Sequence, residues 1–501
     1  MRPETDVYAV KNRYTSVSNN IYIRFRRRGH PSSGGREEAR RRTSAAFYYL
    51  CNANESRMKT TAIDLTQGSI TGTMLRFAVP MIAGNLLQQV YNLADTLIVG
   101  HFLGVQALAA VGATYTLIVF LNSVQLGLCM GSGAAFSILY GARDYERMHQ
   151  SRFVAFVLIA AVTVVLNAAV FLLLDPIMVL MQVPGDIYGL MREYLWAVCW
   201  GIGFTFLYNY YASLLRAVGD SVTPLIFLAV SVVLNIALDL VFILTFHWGV
   251  AGAAWATVLS QAVSAFTLLV YTYWRMPELR LHRRHLKFSR SILHEITTFS
   301  FLTCFQQSVM NLGILMVQGL VNSFGTIVMA AFTVAVKIDT LAYMPAQDFG
   351  NAFSTFIAQN FGAKRYERIR GGIRSAVITT LIFCALISVA VFIFARNLML
   401  CFVDPSETEL IAVGVDYLRI EGSFYIGIGC LFLLYGYYRA ISRPGMSVVL
   451  TVISLGLRVA LAYILAAIPS IGVTGIWVAI PIGWFIADAV GIIYLRRLRL
   501  T

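Results

Sequence analysis

Long apolar runs that contain no charged residue constrain this chain more than any other feature. Three of them, residues 153–174, 248–274 and 375–395, have no Asp, Glu, Lys or Arg. A helix needs roughly 20 apolar residues to cross the hydrocarbon core of a bilayer, so each run is long enough to span it. Only 13% of the 501 residues are charged, about half the share in a soluble protein. The sequence therefore predicts an all-α integral membrane protein and excludes a soluble or disordered chain.

Nine weaker apolar segments raise the number of predicted transmembrane helices to twelve, which we number as spans in chain order. The weaker segments begin near Leu75, Val105, Tyr188, Val222, Ile296, Thr326, Leu410, Met446 and Gly472. Loops rich in Lys and Arg stay on the cytoplasmic side of a membrane. Residues 275–290 and 364–374 carry six and five of them, whereas the other side has only Arg192, Arg396 and Arg419. We therefore expect a multi-pass protein of the plasma (inner) membrane with both termini in the cytoplasm.

The N-terminal segment has a different composition from the rest of the chain. Residues 1–57 carry twelve Lys and Arg against five acidic residues. They lack the apolar stretch of about 7 to 15 residues that a secretory signal needs. One interpretation is a basic, disordered tail, and the other is that translation starts at Met58, shortly before the first span.

The two halves of the chain repeat each other. YGARDYER, which begins at Tyr140, returns as FGAKRYER at Phe361, and other shared motifs keep an offset of 218 to 223 residues. Six spans per repeat bring the chain back to the same side of the membrane, so the repeats are parallel and related by a pseudo-twofold axis along the membrane normal. We expect an N-lobe at residues 58–280 with spans one to six and a C-lobe at residues 281–501 with spans seven to twelve.

A recognisable pattern lies at residues 77–114, which read FAVPMIAGNLLQQVYNLADTLIVGHFLGVQALAAVGAT and include Pro80, Gln88 and Asp95. This pattern resembles the multidrug and toxic compound extrusion (MATE) family, and the likeness extends to about Arg497. The resemblance implies two six-helix bundles around a V-shaped cleft that opens alternately to each side. It also implies export of organic compounds driven by inward Na⁺ or H⁺.

We therefore expect a secondary active multidrug exporter, an antiporter that moves amphipathic, cationic organic compounds out of the cell. The expected partners are these small molecules and the lipid bilayer, without nucleic acid, and the chain is expected to act as a monomer. The sequence has no GxxxxGK[ST] loop to hold a nucleotide. We expect no cofactor, no metal beyond a transported Na⁺ and no enzymatic activity.

Four polar residues of the first half are replaced in the second half, which marks them as candidates for function. The aligned pairs are Asp95 with Ile314, Asn235 with Arg458, Asp239 with Ala462 and Thr257 with Ile480. Asn235 and Asp239 share one helix face, and Asp95, Asp239 and Thr257 lie about 8 to 12 Å below the outer surface at ~1.5 Å per residue. Their oxygens suit Na⁺ or a shared proton, and the MATE resemblance implies the same site. The alternative is that the two carboxylates only cap kinked helices.

A second group of charged residues falls near mid-bilayer in the second half: Lys337, Asp339, Glu421 and Arg458. We expect these residues to form a cluster in which opposite charges neutralise each other. A structural ion-pair network and a role in transport are equally open for this cluster.

For the substrate cleft we expect Gln88, Gln306, Tyr208 and Tyr211. The tyrosines could stack on cationic drugs, although membrane helices also use aromatic residues for packing. The main alternative function is a lipid-linked oligosaccharide flippase of the same superfamily, which favours several Arg residues in the cleft, and only Arg458 is an obvious candidate. An integral membrane enzyme would need a nucleophile, base or metal constellation, and the sequence shows none.

Overall fold

The computed structural model of the protein describes residues 62–181 and 183–498. Within these residues every regular element is a helix, as the predicted fold class requires. The predicted tail at 1–57 and the alternative start at Met58 lie outside the described residues.

The helices are numbered here in chain order. They are α1 (Ile70–Leu103), α2 (Val105–Gly141), α3 (Tyr145–Leu172), α4 (Leu174–Leu180), α5 (Gly185–Ala217), α6 (Val222–Leu240), α7 (Gly249–Arg275), α8 (Arg290–Asn322), α9 (Thr326–Gly362), α10 (Tyr366–Leu400), α11 (Thr408–Gly422), α12 (Tyr425–Ala440), α13 (Pro444–Ala466) and α14 (Val473–Arg497). Two single-turn 3₁₀ helices, Pro277–Leu279 and Arg283–His285, connect α7 to α8.

Twelve membrane spans can be traced through the described residues. Ten helices are long and apolar enough to cross a membrane, and α11 and α12 form one further span that is bent by 52°. The remaining span is α5, which has 33 residues but is less apolar because Tyr, Trp and Gly are frequent in it. The short helix α4 lies between two spans.

Most observed helix starts lie close to the predicted ones, and the largest differences occur where charge precedes the apolar run. The starts predicted at Val105, Val222 and Thr326 coincide with the observed ones. In contrast, α3 and α10 begin earlier than predicted, at Tyr145 and Tyr366, and both have Glu in the first turn. Apolar runs mark only the part of a helix inside the hydrocarbon, so they miss charged turns outside it.

The internal repeat of the sequence is also a repeat in the structure. Helices α2 and α9 both have 37 residues, and α9 starts 221 residues after α2. Both helices are followed by a residue in the left-handed backbone region, Arg143 and Lys364, each with a φ of 58°. The parallel repeat predicted from the sequence is therefore confirmed.

The two halves of the chain contact each other at one side of the membrane. We call this side the basic face, and it includes the loops at residues 142–144, 276–289 and 363–365. Gly141 packs against the carbonyl of Gln359, and at the equivalent position Gly362 packs against the carbonyl of Ile138. Every hydrogen bond that joins the halves within the described residues lies in the membrane half near this face. The cleft between the lobes therefore opens toward the opposite face.

The first helix of each half contributes to the core of the other half. Met74 and Met81, near the start of α1, belong to the main core of the second half. Ile292 and Phe299, at the equivalent positions of α8, belong to the core of the first half. The lobe boundary at residue 280 stays a prediction from the repeat, and the basic-face ends of α1 and α8 pack across it.

Candidate ion site and substrate cleft

The four predicted polar residues come together inside the first half of the chain. Asp95 lies on α1, Asn235 and Asp239 on α6, and Thr257 on α7, and all four are buried. The carboxyl groups of Asp95 and Asp239 are close enough to share a proton. Nδ2 of Asn235 donates to Oγ1 of Thr257 at 3.4 Å. We call this group of four residues the N-lobe site.

Most carboxylate and amide oxygens of the N-lobe site have no hydrogen-bond partner. Oδ1 of Asp95, Oδ1 of Asn235 and both carboxylate oxygens of Asp239 are buried and accept no hydrogen bond from the described residues. A buried acceptor without a donor costs about 1 to 3 kcal/mol, and more when it is charged. These oxygens are hard ligands that suit a small cation such as Na⁺. A proton on either carboxylate would also let the two carboxyl groups form a hydrogen bond with each other.

Two tyrosines complete the surroundings of the N-lobe site and were not predicted from the sequence. The hydroxyl of Tyr91 lies 3.1 Å from Oγ1 of Thr257. Tyr91 precedes Asp95 by four residues, so their shared helix face could have revealed it. Tyr194 of α5 is buried close to both carboxylates, and no spacing in the sequence connects it to them.

The backbone beside the N-lobe site is irregular. Helix α6 ends at Leu240 and continues as a π-helical turn at Val241–Thr245. Such turns are rare and occur frequently at functional sites. The turn begins two residues after Asp239, so the site lies next to the least regular part of its span.

Three of the four charged residues predicted for the second half are buried together. Asp339 and Glu421 lie close to each other and to Arg458. Lys337 does not belong to this cluster, which corrects the prediction. It precedes Asp339 by two residues, which rotates its side chain by about 200° around α9, and that side chain is exposed. We call Asp339, Glu421 and Arg458 the C-lobe cluster.

A cavity lies between the halves at the base of the cleft. Its lining consists of Met130, Gln306, Gln307, Met310, Gln347, Asn351, Phe432, Tyr435 and Arg439. The predicted cleft residue Gln306 belongs to this lining. Gln88 is half-buried on α1 and lies outside it.

The two tyrosines predicted for the substrate cleft pack against helices of the first half. Tyr208 and Tyr211 lie against the core of the first half. The hydroxyl of Tyr208 donates to the carbonyl of Pro224 at 3.0 Å, and the ring of Tyr211 contacts Tyr210 edge to face. Both side chains therefore connect helices of the first half and do not line the cavity.

The sequence profile of the family described as MatE matches residues 80–241 and 300–464, which include parts of both predicted lobes. This chain belongs to the MatE family. It is 31% identical over 437 residues to a Bacillus subtilis relative named "Probable multidrug resistance protein YpnP", a match that covers 87% of this chain and 97% of the relative. It is 26% identical over 411 residues to a Thermotoga maritima relative named "Probable multidrug resistance protein NorM", with 81% and 88% covered.

Solved structures of MATE proteins share the fold of this MatE chain. A multidrug resistance MATE family transporter in an outward-facing conformation matches with a TM-score of 0.82 at 25% identity, covering 87% of this chain and 98% of that one. A crystal structure of MATE in complex with MaL6 also has a TM-score of 0.82, with 88% and 98% covered. The predicted resemblance and the predicted two-bundle fold with twelve spans are therefore confirmed.

The flippase alternative favours several Arg residues in the cleft of this MatE protein. Arg458 is instead buried with Asp339 and Glu421, outside the cavity lining. Among the described residues that line the cavity, Arg439 is the charged one. The cavity therefore does not support a pyrophosphate site built from several arginines.

Proposed function

We propose that this protein is an antiporter that exports amphipathic organic compounds by alternating access, coupled to the influx of Na⁺ or H⁺. The observation that carries the proposal is the set of buried oxygens of Asp95, Asn235 and Asp239 that have no hydrogen-bond partner. One small cation or proton would satisfy several of them at once. The relatives named as multidrug resistance proteins support organic compounds as the cargo. We propose a single chain as the transport unit, with the driving ion as its only cofactor.

Ion binding changes the charge inside the first half of the chain. Two close carboxylates repel each other when both are ionised, and a cation or proton removes that repulsion. Helices α1, α6 and α7 can then pack more closely, and α1 can bend at Pro80. Because α1 also packs into the core of the second half, the change extends to the wall of the cleft. Bound ion and bound drug weaken each other by the same factor, which antiport requires.

We also propose that the basic face is cytoplasmic, because Lys and Arg beside membrane helices stay inside the cell. Both termini then lie in the cytoplasm, and the cleft is open to the outside. A Ser289→Cys variant tests this orientation. A membrane-impermeant thiol reagent should label the new cysteine in permeabilised cells and not in intact cells. Labelling of that cysteine at position 289 in intact cells would overturn the orientation.

Dye efflux from proteoliposomes under an imposed Na⁺ or pH gradient tests the transport proposal. Asp95→Asn and Asp239→Asn should each abolish gradient-driven transport at a normal amount of folded protein, because each removes a charge but keeps the side-chain size. Asp175→Asn is the matched control. Asp175 is exposed on the face of the protein opposite to the basic face, where it forms an ion pair with Arg192. Wild-type rates in both N-lobe variants would exclude the N-lobe site and make the C-lobe cluster the next candidate.

A further inference from the structure

Arg439 is a buried charge in the wall of the cavity at the base of the cleft. The residue is only 5% exposed. Its Nη2 donates to Oδ1 of Asn351 at 2.9 Å, and its Nε donates to Oγ of Ser354 at 3.4 Å. Both acceptors are neutral, and within the described residues Nη1 has no hydrogen-bond partner. The guanidinium charge is therefore held in place but not neutralised.

The internal repeat shows which partner Arg439 lacks. Arg216 occupies the equivalent position in the first half, and the carboxylate of Asp348 lies near it from the other half. Helices α2 and α9 align without a gap at an offset of 221 residues, so Gly127 is the equivalent of Asp348. Met130, one turn after Gly127, lines the cavity together with Arg439. Arg439 thus has a glycine where Arg216 has a carboxylate.

The protein cannot supply the missing carboxylate from this position. A Cβ added at Gly127 would overlap the backbone of Cys304, which packs directly against the glycine. None of the described residues that line the cavity is acidic. A buried charge without a counter-charge is strongly unfavourable, and a ligand of opposite charge offsets that cost when it binds.

The rest of the cavity lining suits the charged end of an amphipathic molecule. Amide groups that can donate hydrogen bonds to an anion come from Gln306, Gln307 and Gln347. Apolar surface beside them comes from Met130, Met310 and Phe432. The lining therefore offers donors for an anionic group next to contacts for an apolar chain.

Lys337 extends the positive charge from the cavity toward the mouth of the cleft. It lies 14 residues before Asn351 on α9, which places both on the same helix face to within about 40°. Its side chain is exposed. A positively charged path of this kind raises the local concentration of anions.

We propose that the cavity binds the carboxylate, sulfonate or phosphate group of an amphipathic organic anion, with Arg439 as the counter-charge. This inference rests on the transport function proposed above and replaces the cationic cargo expected from the sequence. The tyrosines that could have stacked on a cationic drug, Tyr208 and Tyr211, lie outside the cavity lining.

Two fluorescent probes of opposite charge test this proposal on the purified full-length protein in phosphatidylcholine nanodiscs. 1-Pyrenebutyrate and pyrenebutyl-trimethylammonium share an apolar tail and differ in the sign of the head group. We expect the carboxylate to bind at least about tenfold more tightly, the factor that one charge-assisted contact contributes. Asn351→Asp adds a carboxylate beside Nη2 of Arg439 with little change in shape, so it should remove this preference.

Variants of the arginine and a matched control complete the experiment. Arg439→Gln should also remove the preference, whereas Arg439→Lys should keep most of it. Arg443→Gln removes the same charge four residues later, outside the cavity lining, and should leave both affinities unchanged. Tighter or equal binding of the ammonium probe to the wild-type protein, or an unchanged preference in Asn351→Asp, would overturn the proposal.

Nanodiscs that contain phosphatidylglycerol identify the source of the natural anion. Competition by this lipid with the carboxylate probe, in the wild-type protein and not in Arg439→Gln, assigns the anionic group to a membrane lipid. A lack of competition assigns it to a soluble amphiphile, and both results support an anion site. The binding assay uses no ion gradient, so a failure of Asp95 and Asp239 to couple transport would leave its outcome unchanged.

Discussion

Nδ2 of Asn85 on α1 donates a hydrogen bond to the carboxylate of Asp348 on α9, across the interface that closes the basic face. Asp348 is buried, and its second oxygen accepts no hydrogen bond from the described residues. The two residues belong to different halves of the chain, so this bond must break when the halves separate at the basic face. It therefore stabilises the conformation in which the cleft opens toward the opposite face.

Asn85→Ala should open the basic face more often. A hydrogen bond contributes about 0.5 to 1.5 kcal/mol, so its loss should shift the equilibrium roughly twofold to tenfold. Cys304 packs against Gly127 at the same interface and can report the opening. Its reaction with N-ethylmaleimide, followed by mass spectrometry, should be faster in the variant. Asn322→Ala, at the far end of α8, is the control, and an unchanged rate in Asn85→Ala would mean that the bond does not hold the face closed.

Tyr91→Phe should weaken binding of the driving ion without abolishing transport. The change removes the hydroxyl that contacts Thr257 and keeps the aromatic ring. A neutral hydrogen bond contributes about 0.5 to 1.5 kcal/mol, so the apparent affinity for Na⁺ or H⁺ should fall roughly twofold to tenfold. The ion dependence of efflux from proteoliposomes measures this shift. Tyr463→Phe, at an exposed tyrosine of α13, should leave the ion dependence unchanged, and equal curves for both variants would remove Tyr91 from the site.

Arg458→Gln should destabilise the protein because it leaves two buried carboxylates without a cation. A buried charge without a nearby counter-charge is strongly unfavourable. The thermal unfolding midpoint in detergent should fall clearly, and Lys337→Gln should barely change it because Lys337 is exposed. Glu421→Gln separates the two roles of the C-lobe cluster. A folded but inactive Glu421→Gln variant would assign the cluster to transport, and an active one would assign it to structure.

The segment before α1 is tied to both halves at the basic face. The backbone N–H of Ile63 donates to the carbonyl of Gly219 in the first half at 3.0 Å. Asn360 donates to the carbonyl of Leu65 at 3.1 Å, and the side chain of Leu65 is fully buried in the core of the second half. Arg368 donates to the same carbonyl of Leu65 and to those of Gln67 and Gly68. The residues just before α1 thus hold the two halves together.

Truncation should show where the N-terminal segment begins to matter. Deletion of residues 1–57 should leave the yield of folded protein and its transport rate unchanged, because those residues have no place in either repeat. Deletion of residues 1–68 should sharply lower the yield, because it removes the bonds to both halves. Size-exclusion chromatography in detergent measures the folded fraction. A low yield for the shorter deletion would give the basic tail a structural role.

The fold and the N-lobe site could be predicted because the bilayer leaves a strong signal in the sequence. Charged residues are costly in hydrocarbon, so apolar runs mark the spans, and an isolated Asp95 or Asp239 inside a run stands out. The role of Tyr194 could not be predicted in this way, since aromatic residues are common in membrane helices. Its place beside the two carboxylates depends on how α5 packs, which no local pattern records.

Lys337 and Asp339 illustrate a second limit of prediction. The sequence gives the depth of both residues in the membrane, and both depths are nearly equal. The direction in which each side chain points is a separate quantity. Positions two residues apart on a helix point about 200° away from each other, and only tertiary packing shows which of them points inward. The same limit applies to Arg439, whose burial depends on how α12 packs against α9, where Asn351 and Ser354 accept its hydrogen bonds.

The exchange of Met74 and Ile292 between the two cores has a consequence for biosynthesis. When the first six spans have left the ribosome, α1 has not yet met the helices that bury Met74, and the first core still lacks Ile292. Neither half can therefore mature as an independent unit, and the early spans must wait in the membrane until α8 and its successors insert. Two fragments divided within residues 276–289 should restore a functional protein only when one cell makes both.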